Sequence, residues 1–478
     1  MAKVYLVGAG CGAIELYTLK AMKCIQEADC IIYDQLIDKQ ILDYCKSDCE
    51  KIYVGKIAHH HTMPQEKMNE LLVEKAKQYH KVVRLKGGDV YVFGRGGEEA
   101  EFLYNEGIDF EVVPGISSSI GGLAYAGIPV THRGLSGGFQ VYTGALRKDE
   151  DRKFDFHTML DDYTTYIFLM SMSKKEKIVQ GFLEAGKDPK TCCAIVSQAS
   201  LPSQKCVIGT LENIIEKFNE NPVPMPGIIV VGNVIKKQEI LNFYERKPLF
   251  GKKILVTTVG VDHYLKDEFI ELGGNVKEIM TGNVTYLDAK IPQIKDNLIF
   301  TSKHGAIGFM KVFMKQYHDV RMLYGVRIIA IGKKTNEVLN SYGLNADYIP
   351  KVANSICLNQ ELKELIKDEE VYVVQGDTTS IELDHHKIIV YTNREIEIDD
   401  SNEDYDYALF TCASSVYRTL KNTHISANTF VSMGPLTTKA IQECYPDSYI
   451  LEVERPVKKK MVEIVLKEEK PCFIEEDV

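Results

Sequence analysis

No stretch of this sequence approaches roughly 18 uncharged apolar residues, so it offers no membrane-spanning helix. A leader of the basic-then-apolar kind is missing as well. The first residues, Met1-Ala-Lys-Val-Tyr-Leu-Val-Gly, read as a strand running into a glycine turn, which makes a cytoplasmic location the expectation. Cysteine pairs of the CxxC type are lacking: twelve cysteines are scattered, with only Cys45/Cys49 and the adjacent Cys192-Cys193 close together. Buried, reduced thiols are expected, and no metal. His59-His60-His61 lies inside the chain and reads as loop. Basic charge is not in excess either. A net charge of −10 argues against non-specific nucleic-acid binding, although a local basic cleft can still receive an anionic small molecule. Low-complexity segments and internal repeats are absent.

What is present is a globular composition, 45% hydrophobic and 26% charged, over 478 residues. That length exceeds one ordinary core and predicts two to four domains. An apolar strand at 3–8 ends in Gly8-Ala9-Gly10-Cys11-Gly12, and a helix follows with Leu19, Met22 and Ile25 at spacing three. Strands are predicted at 29–33, ending at Asp34, and at 51–54, ending at Gly55-Lys56. Pro64 opens a helix whose stripe is Met68, Leu71 and Leu72. A fourth strand, 81–85, enters the stretch RLKGGDVYVFGRGGEE, Arg84 to Glu99. Alternating strands and helices indicate a mostly parallel sheet, with ligands beyond the carboxyl ends of the strands. Asp34, Lys56 and Gly87-Gly88-Asp89 all fall there. The bland alternative for the glycine pair is a surface turn; two glycine pairs with interleaved charges favour a binding loop.

A dinucleotide-binding reading of Gly8–Gly12 stays open. The GxGxxG spacing fails at Ala13, whereas Asp34 supplies the acidic residue after the next strand. A second α/β lobe is predicted from Val112 onward, with strands near 139–143, 166–170, 193–196 and 228–231. Residues 236–253 are charged, carry a proline and suggest a linker. From Lys253 the strand pattern restarts at 253–257, 297–301, 326–331, 371–375, 386–391, 406–411 and 428–433.

The blocks VGAG (Val7–Gly10), YDQL (Tyr33–Leu36), VGK (Val54–Lys56), PQEKMN (Pro64–Asn69), RLKGGDVYVFGRGGEE (Arg84–Glu99), VVPGISS (Val112–Ser118) and AGIPVTHR (Ala126–Arg133) come in one order. Residues 1–245 thereby resemble the uroporphyrinogen-III C-methyltransferases of the tetrapyrrole methylase superfamily. The resemblance implies a two-lobed α/β domain, with lobes of about 1–113 and 114–245. It implies transfer of methyl groups from S-adenosyl-L-methionine to uroporphyrinogen III, giving precorrin-2, and a homodimer. By the same resemblance Asp34 is the proton acceptor and Lys56 the proton donor. Cofactor contacts fall on Cys11, Gly87, Gly88, Asp89, Val92, Ser117, Ser118, Met170 and Ala199. His61, Arg95 and Arg133 are candidate anchors for the substrate's eight carboxylates. The chain departs from the family at Cys11–Ala13, where proline and aspartate are usual, at Val90, which replaces a proline, and at Ala199, where glycine is common.

LFGKKILVTT (Leu249–Thr258), LIFTSKHG (Leu298–Gly305), IAIGKKT (Ile329–Thr335), FTCASSV (Phe410–Val416) and MGPLTTKA (Met433–Ala440) likewise follow one order. Residues 246–478 resemble uroporphyrinogen-III synthase. The resemblance implies two α/β domains, the second inserted at about 283–393, and closure of hydroxymethylbilane without a cofactor. Tyr417 stands where some members carry a functional tyrosine; a helix-surface tyrosine is the alternative. Thr258, His304 and Gln375 replace an arginine, an asparagine and an arginine of the family pattern. The expectation is a bifunctional tetrapyrrole enzyme. Two alternatives remain: the same methyltransferase with a non-catalytic tetrapyrrole-binding C-terminal module, and a dinucleotide-dependent oxidoreductase in the first half.

Overall fold

The computed structural model describes residues 2–55, 64–144, 154–350, 366, 369–377, 385–398 and 402–469. Lys56 and His61 lie outside the described residues. The chain divides into two compact units, Met1–Lys252 with Glu271–Asn275, and Lys253–Ile270 with Val276–Val478.

In the first unit, β1 (Lys3–Gly8), β2 (Cys30–Tyr33), β3 (Glu50–Tyr53), β4 (Lys81–Lys86) and β5 (Asp109–Val113) form one sheet in the order β3-β2-β4-β1-β5. Every pairing in it is parallel, as the alternation of strands and helices predicts. Parallel strands need crossovers, and α1 (Leu19–Gln26), α2 (Gln65–Gln78) and α3 (Gly96–Asn105) supply them. Both faces of the sheet are therefore apolar. Val7, Ile31, Val83 and Leu85 pack with Ala21, Cys24 and Ile25 of α1. On the other face Val4, Leu6, Ile32 and Val82 pack with Met68 and Leu72 of α2 and Leu103 of α3.

The predicted stripe on α1 is rotated. Leu19 is 91% exposed, and the buried stripe is Ala21, Cys24 and Ile25. Thr18 Oγ1 accepts from Ala21 N at 3.1 Å and starts the helix with Leu19 turned outward. Spacing three suited either set, and the smaller residues face the sheet. Pro64 lies one residue ahead of α2 rather than inside it.

A second sheet of the same unit contains β6 (Gly138–Thr143), β7 (Thr164–Leu169), β8 (Cys192–Ser197), β9 (Lys205–Thr210) and β10 (Gly227–Val231), ordered β6-β7-β10-β8-β9. Only β6 and β7 pair in parallel; β7-β10, β10-β8 and β8-β9 are antiparallel.

The second unit carries β11 (Lys253–Val259), β12 (Asn275–Tyr286), β13 (Asn297–Phe300), β14 (Arg327–Ala330), β15 (Val371–Gly376), β16 (His386–Glu395), β17 (Glu403–Phe410), β18 (Ile425–Ser432) and β19 (Ile450–Glu452). They form one nine-stranded sheet, β14-β13-β15-β16-β12-β11-β17-β18-β19. Its two flanks are parallel. They meet where β12 runs antiparallel to β16, Gly282–Tyr286 against Tyr391–Glu395. The long strands β12 and β16 thus carry the chain from one α/β flank to the other and back.

Candidate functional site

In the first unit, three loops converge beyond the carboxyl ends of β1, β4 and β5. Gly10 and Gly88 exchange backbone hydrogen bonds, Gly10 N to Gly88 O at 3.1 Å and Gly88 N to Gly10 O at 2.7 Å. A Cβ on Gly8 would fall 2.5 Å from Gly115 N, and one on Gly115 would fall 2.3 Å from Gly88 O. Backbone lies against backbone here, and only glycine permits it. Gly87 similarly backs onto Leu36 Cβ, which its own Cβ would approach to 2.6 Å. Gly88 itself, at φ +72°, has open space where a Cβ would be. The convergence forms a shelf whose free side is main chain.

Asp89 organises that shelf. Its Oδ1 accepts from Tyr91 N (2.8 Å) and Val92 N (3.2 Å), and its Oδ2 accepts from Gly115 N at 3.1 Å. Both oxygens are engaged by the chain's own amides. Tyr91, Val92 and Phe93 project into solvent.

The first loop also meets the second sheet's strand ends. Ala13 N donates to Ser200 Oγ at 3.1 Å, and a Cβ on Gly12 would come 2.7 Å from Ala199 O. Gly121 packs by Cys11 Sγ, and Gly122 packs by the side chains of Ala199 and Ser118. Cys11, Ser118, Ala199 and the glycine shelf are thus brought together. Burial pushes the Cys11 thiol up, away from thiolate. Ser117 caps the next turn, its Oγ 2.8 Å from Ser119 Oγ and accepting from Ser119 N. Met170 follows β7 at φ +52° and is half exposed.

Asp34 stands at the end of β2, next to β4. Its Oδ1 accepts from Leu36 N at 3.0 Å, and its Oδ2 faces Arg84 Nη2 at 3.4 Å. Arg95, at φ +58° ahead of α3, is not a free anchor in this state: it forms a fork with Glu98 at 3.0 and 2.6 Å. Arg133 is exposed, its carbonyl bonded to the His132 ring.

Sequence reasoning passed over Arg84, Lys86 and Glu99, which are all buried beside Asp34. A signal existed. Two cations at spacing two on a strand of an all-parallel sheet point into a face that ought to be apolar.

The second unit has its own cluster, at the carboxyl ends of β13 and β15. Ser302 caps the helix Lys303–Tyr317 by accepting from Gly305 N at 2.9 Å, and its Oγ lies 3.0 Å from the Tyr391 hydroxyl. The Tyr286 hydroxyl is 3.2 Å from His304 Nδ1, and Lys311 Nζ sits 4.5 Å above the Tyr286 ring. The His304 ring centroid is 5.9 Å from that of Tyr391. Burial, then the charge of Lys303, lowers His304 below its ordinary 6.5. The sequence had marked His304 only as a departure.

Thr258 and Gln375 are buried. Thr258 O accepts from Thr281 Oγ1 at 3.0 Å, and Gln375 Oε1 has no hydrogen-bond partner among the described residues. Tyr417 is half exposed on the helix Ala413–Asn422 and donates to Glu443 Oε2 at 2.5 Å, a bond that raises its phenol.

Residues 3–215 match the family model of tetrapyrrole (corrin/porphyrin) methylases, and residues 264–462 match that of uroporphyrinogen-III synthase HemD. Over 470 residues the chain is 31% identical to the porphyrin biosynthesis protein HemD of Ruminiclostridium josui, covering 92% of this chain and 93% of that protein. The chain belongs to that family. Its first half is also 42% identical over 245 residues to a uroporphyrinogen-III C-methyltransferase of Bacillus subtilis (strain 168), covering 51% of this chain and 95% of that enzyme. It is 44% identical over 235 residues to the enzyme of the same name from Priestia megaterium, covering 49% and 99%. Both halves are enzyme domains of tetrapyrrole biosynthesis, a methylase followed by a synthase.

Proposed function

We propose that the synthase half closes hydroxymethylbilane to uroporphyrinogen III and that the methylase half converts this product to precorrin-2. The observation that carries the reading is the 31% identity over 470 residues to a porphyrin biosynthesis protein, spanning both domains. S-adenosyl-L-methionine is the methyl donor, supplying a methyl group on a sulfonium. The glycine shelf fits it. The carbonyls of Gly10 and Gly88 each keep a second lone pair that suits the ammonium of an amino-acid end, and Gly88 leaves room for it. Cys11, Asp89, Val92, Ser117, Ser118, Met170 and Ala199 complete its surroundings. In this role Asp89 works through the amides it orders.

Asp34 takes the proton that leaves the methylated pyrrole carbon. A carboxylate held by Leu36 N on one oxygen and by Arg84 on the other keeps its direction. Lys56 returns a proton, and His61, Arg95 and Arg133 hold carboxylates of the substrate; Arg95 has to exchange Glu98 for substrate to do so. The methylase half associates as a homodimer, and the enzyme works in the cytoplasm. In the synthase half the reaction is one of positioning, with Tyr417 among the groups around the substrate. A second reading makes this half a tetrapyrrole-binding module without turnover. It is favoured by Thr258 and Gln375, which are buried where the family pattern has arginine.

One reconstitution separates these readings. Purified protein is given hydroxymethylbilane with and without S-adenosylmethionine, and the isomer formed and the precorrin-2 absorbance are followed. Type III isomer that becomes methylated supports both activities. Type I isomer alone sinks the synthase, and supplied uroporphyrinogen III left unmethylated sinks the methylase.

A further inference from the structure

A line of buried charges runs through the first unit to Asp34. Lys86 Nζ donates to Glu99 Oε1 at 2.7 Å, Arg84 Nε approaches the same oxygen at 3.5 Å, and Arg84 Nη2 reaches Asp34 Oδ2 at 3.4 Å. Gln65 Nε2 of α2 adds a contact to Glu99 Oε1 at 3.3 Å. Glu99 is 0% exposed, and Arg84 and Lys86 are 5% exposed. Arg84 Nη1 also donates to Leu85 O at 2.9 Å and Ile32 O at 3.4 Å, which fixes the plane of the guanidinium. Buried ion pairs are weak sources of net stability, because desolvation offsets their attraction. Packing alone therefore gives no reason for three charged side chains under this sheet. Their common direction does: they end on the one carboxylate presented at the mouth of β2.

We propose that Arg84 and Glu99 are positioning residues for methyl transfer, the chain Lys86–Glu99–Arg84 holding the Asp34 carboxylate oriented toward the substrate. The proposal rests on the reading of Asp34 as proton acceptor. Arg84 holds the carboxylate by a charged contact, and Glu99 anchors the guanidinium from below. Lys86, which burial and Arg84 make easier to deprotonate, neutralises Glu99 in turn. On the other side Asp34 shares its surroundings with Asp38 and Tyr17. Burial, then the charges of Asp38 and Asp34, push the Tyr17 phenol up, and its hydroxyl is buried without a hydrogen-bond partner among the described residues.

The test uses the full chain and follows methylation of uroporphyrinogen III against pH, with kcat and KM separated. S-adenosylmethionine binding by calorimetry and thermal unfolding are measured alongside. Arg84→Gln removes a positive charge beside Asp34, so the acid limb of kcat should move up by about one pH unit. kcat at the optimum should fall about tenfold or more through misplacement of the carboxylate. Arg84→Lys, keeping the charge, should restore most of the limb but not the rate. Glu99→Gln removes a negative charge and should move the limb the opposite way, to lower pH, and it remains informative should Arg84→Gln fold poorly. Cofactor binding should be unchanged in all three. An unmoved limb in both Arg84→Gln and Glu99→Gln, with Asp34→Asn inactive, overturns the relay and leaves Asp34 in its role. Near-normal turnover by Asp34→Asn overturns the role of Asp34 and the relay with it.

Discussion

The two candidate sites of this chain are made of different material. In the first unit the site is main chain: three loops close enough that Gly8 and Gly115 cannot carry a side chain without collision. In the second unit the cluster is side chain: Ser302, His304, Tyr286 and Tyr391 meet through hydroxyls and rings. The difference would match the tasks proposed for the two halves. A small donor used at one sulfonium is gripped well by fixed backbone dipoles, which need no reorganisation. A flexible polyanionic chain that must be folded end to end is better served by several rotatable hydroxyls and rings. It follows that the first site should be intolerant of atoms added at Gly8 or Gly115, and the second should lose function in graded steps.

The sharpest way to break this comparison is Asp34→Ala, which removes the carboxylate proposed as proton acceptor. Methylation should fall by about a hundredfold to ten-thousandfold, the usual range for a lost general base, while S-adenosylmethionine still binds. Equal loss of binding, read by calorimetry, would make Asp34 part of the cofactor shelf instead. Next comes Gly115→Ala, whose Cβ would stand 2.3 Å from Gly88 O. Overpacking of this kind costs about 1–3 kcal/mol, so the unfolding temperature of the first unit should drop and cofactor affinity with it. An unchanged melting curve would show that the loops can part.

In the second unit the effects are smaller. Tyr391→Phe removes the hydroxyl 3.0 Å from Ser302 Oγ and should slow formation of the type III isomer about tenfold, roughly the weight of one positioned hydrogen bond. Tyr417→Phe, which removes a bond to Glu443 on the helix surface, provides the contrast. A larger loss from Tyr417→Phe than from Tyr391→Phe would move the synthase site to Tyr417. The smallest effect concerns pH. His304 is lowered by burial, so the folded state favours its neutral form, and below 6.5 the unfolded chain binds more protons than the folded one. Stability should therefore fall as pH drops from 6.5 toward the folded value. In His304→Asn part of that acid loss should vanish, as measured by thermal unfolding of the second unit at pH 7.5 and 5.5. Equal acid sensitivity in variant and parent would mean that other groups carry it.

Much of the fold was legible. β1, β4, β14, β15 and β18 announce themselves as short apolar runs closed by glycine, and their alternation with helices named the α/β class. β12 was missed because its twelve residues, NVKEIMTGNVTY, mix polar and apolar positions, one strand serving two flanks of a sheet. β9 was missed for a related reason: KCVIGT is half exposed at a sheet edge and carries little apolar signal. On α1 the helix was legible and its buried face was not, because the choice between Leu19 and Ala21 was made by how closely the sheet approaches.

By itself the sequence determined which loops lie at strand ends, since strand periodicity and glycine placement are local properties. It thereby determined that Asp34 and Gly87-Gly88-Asp89 share one edge of a parallel sheet. Tertiary structure alone decided which glycines touch, that Asp89 holds amides, that Arg95 is paired with Glu98, and that Lys86, Glu99 and Arg84 line up beneath Asp34. The reason is distance along the chain. Glu99 and Asp34 stand 65 positions apart, and no local pattern couples them; two helices and a sheet must first close around them before either carboxylate meets the same arginine.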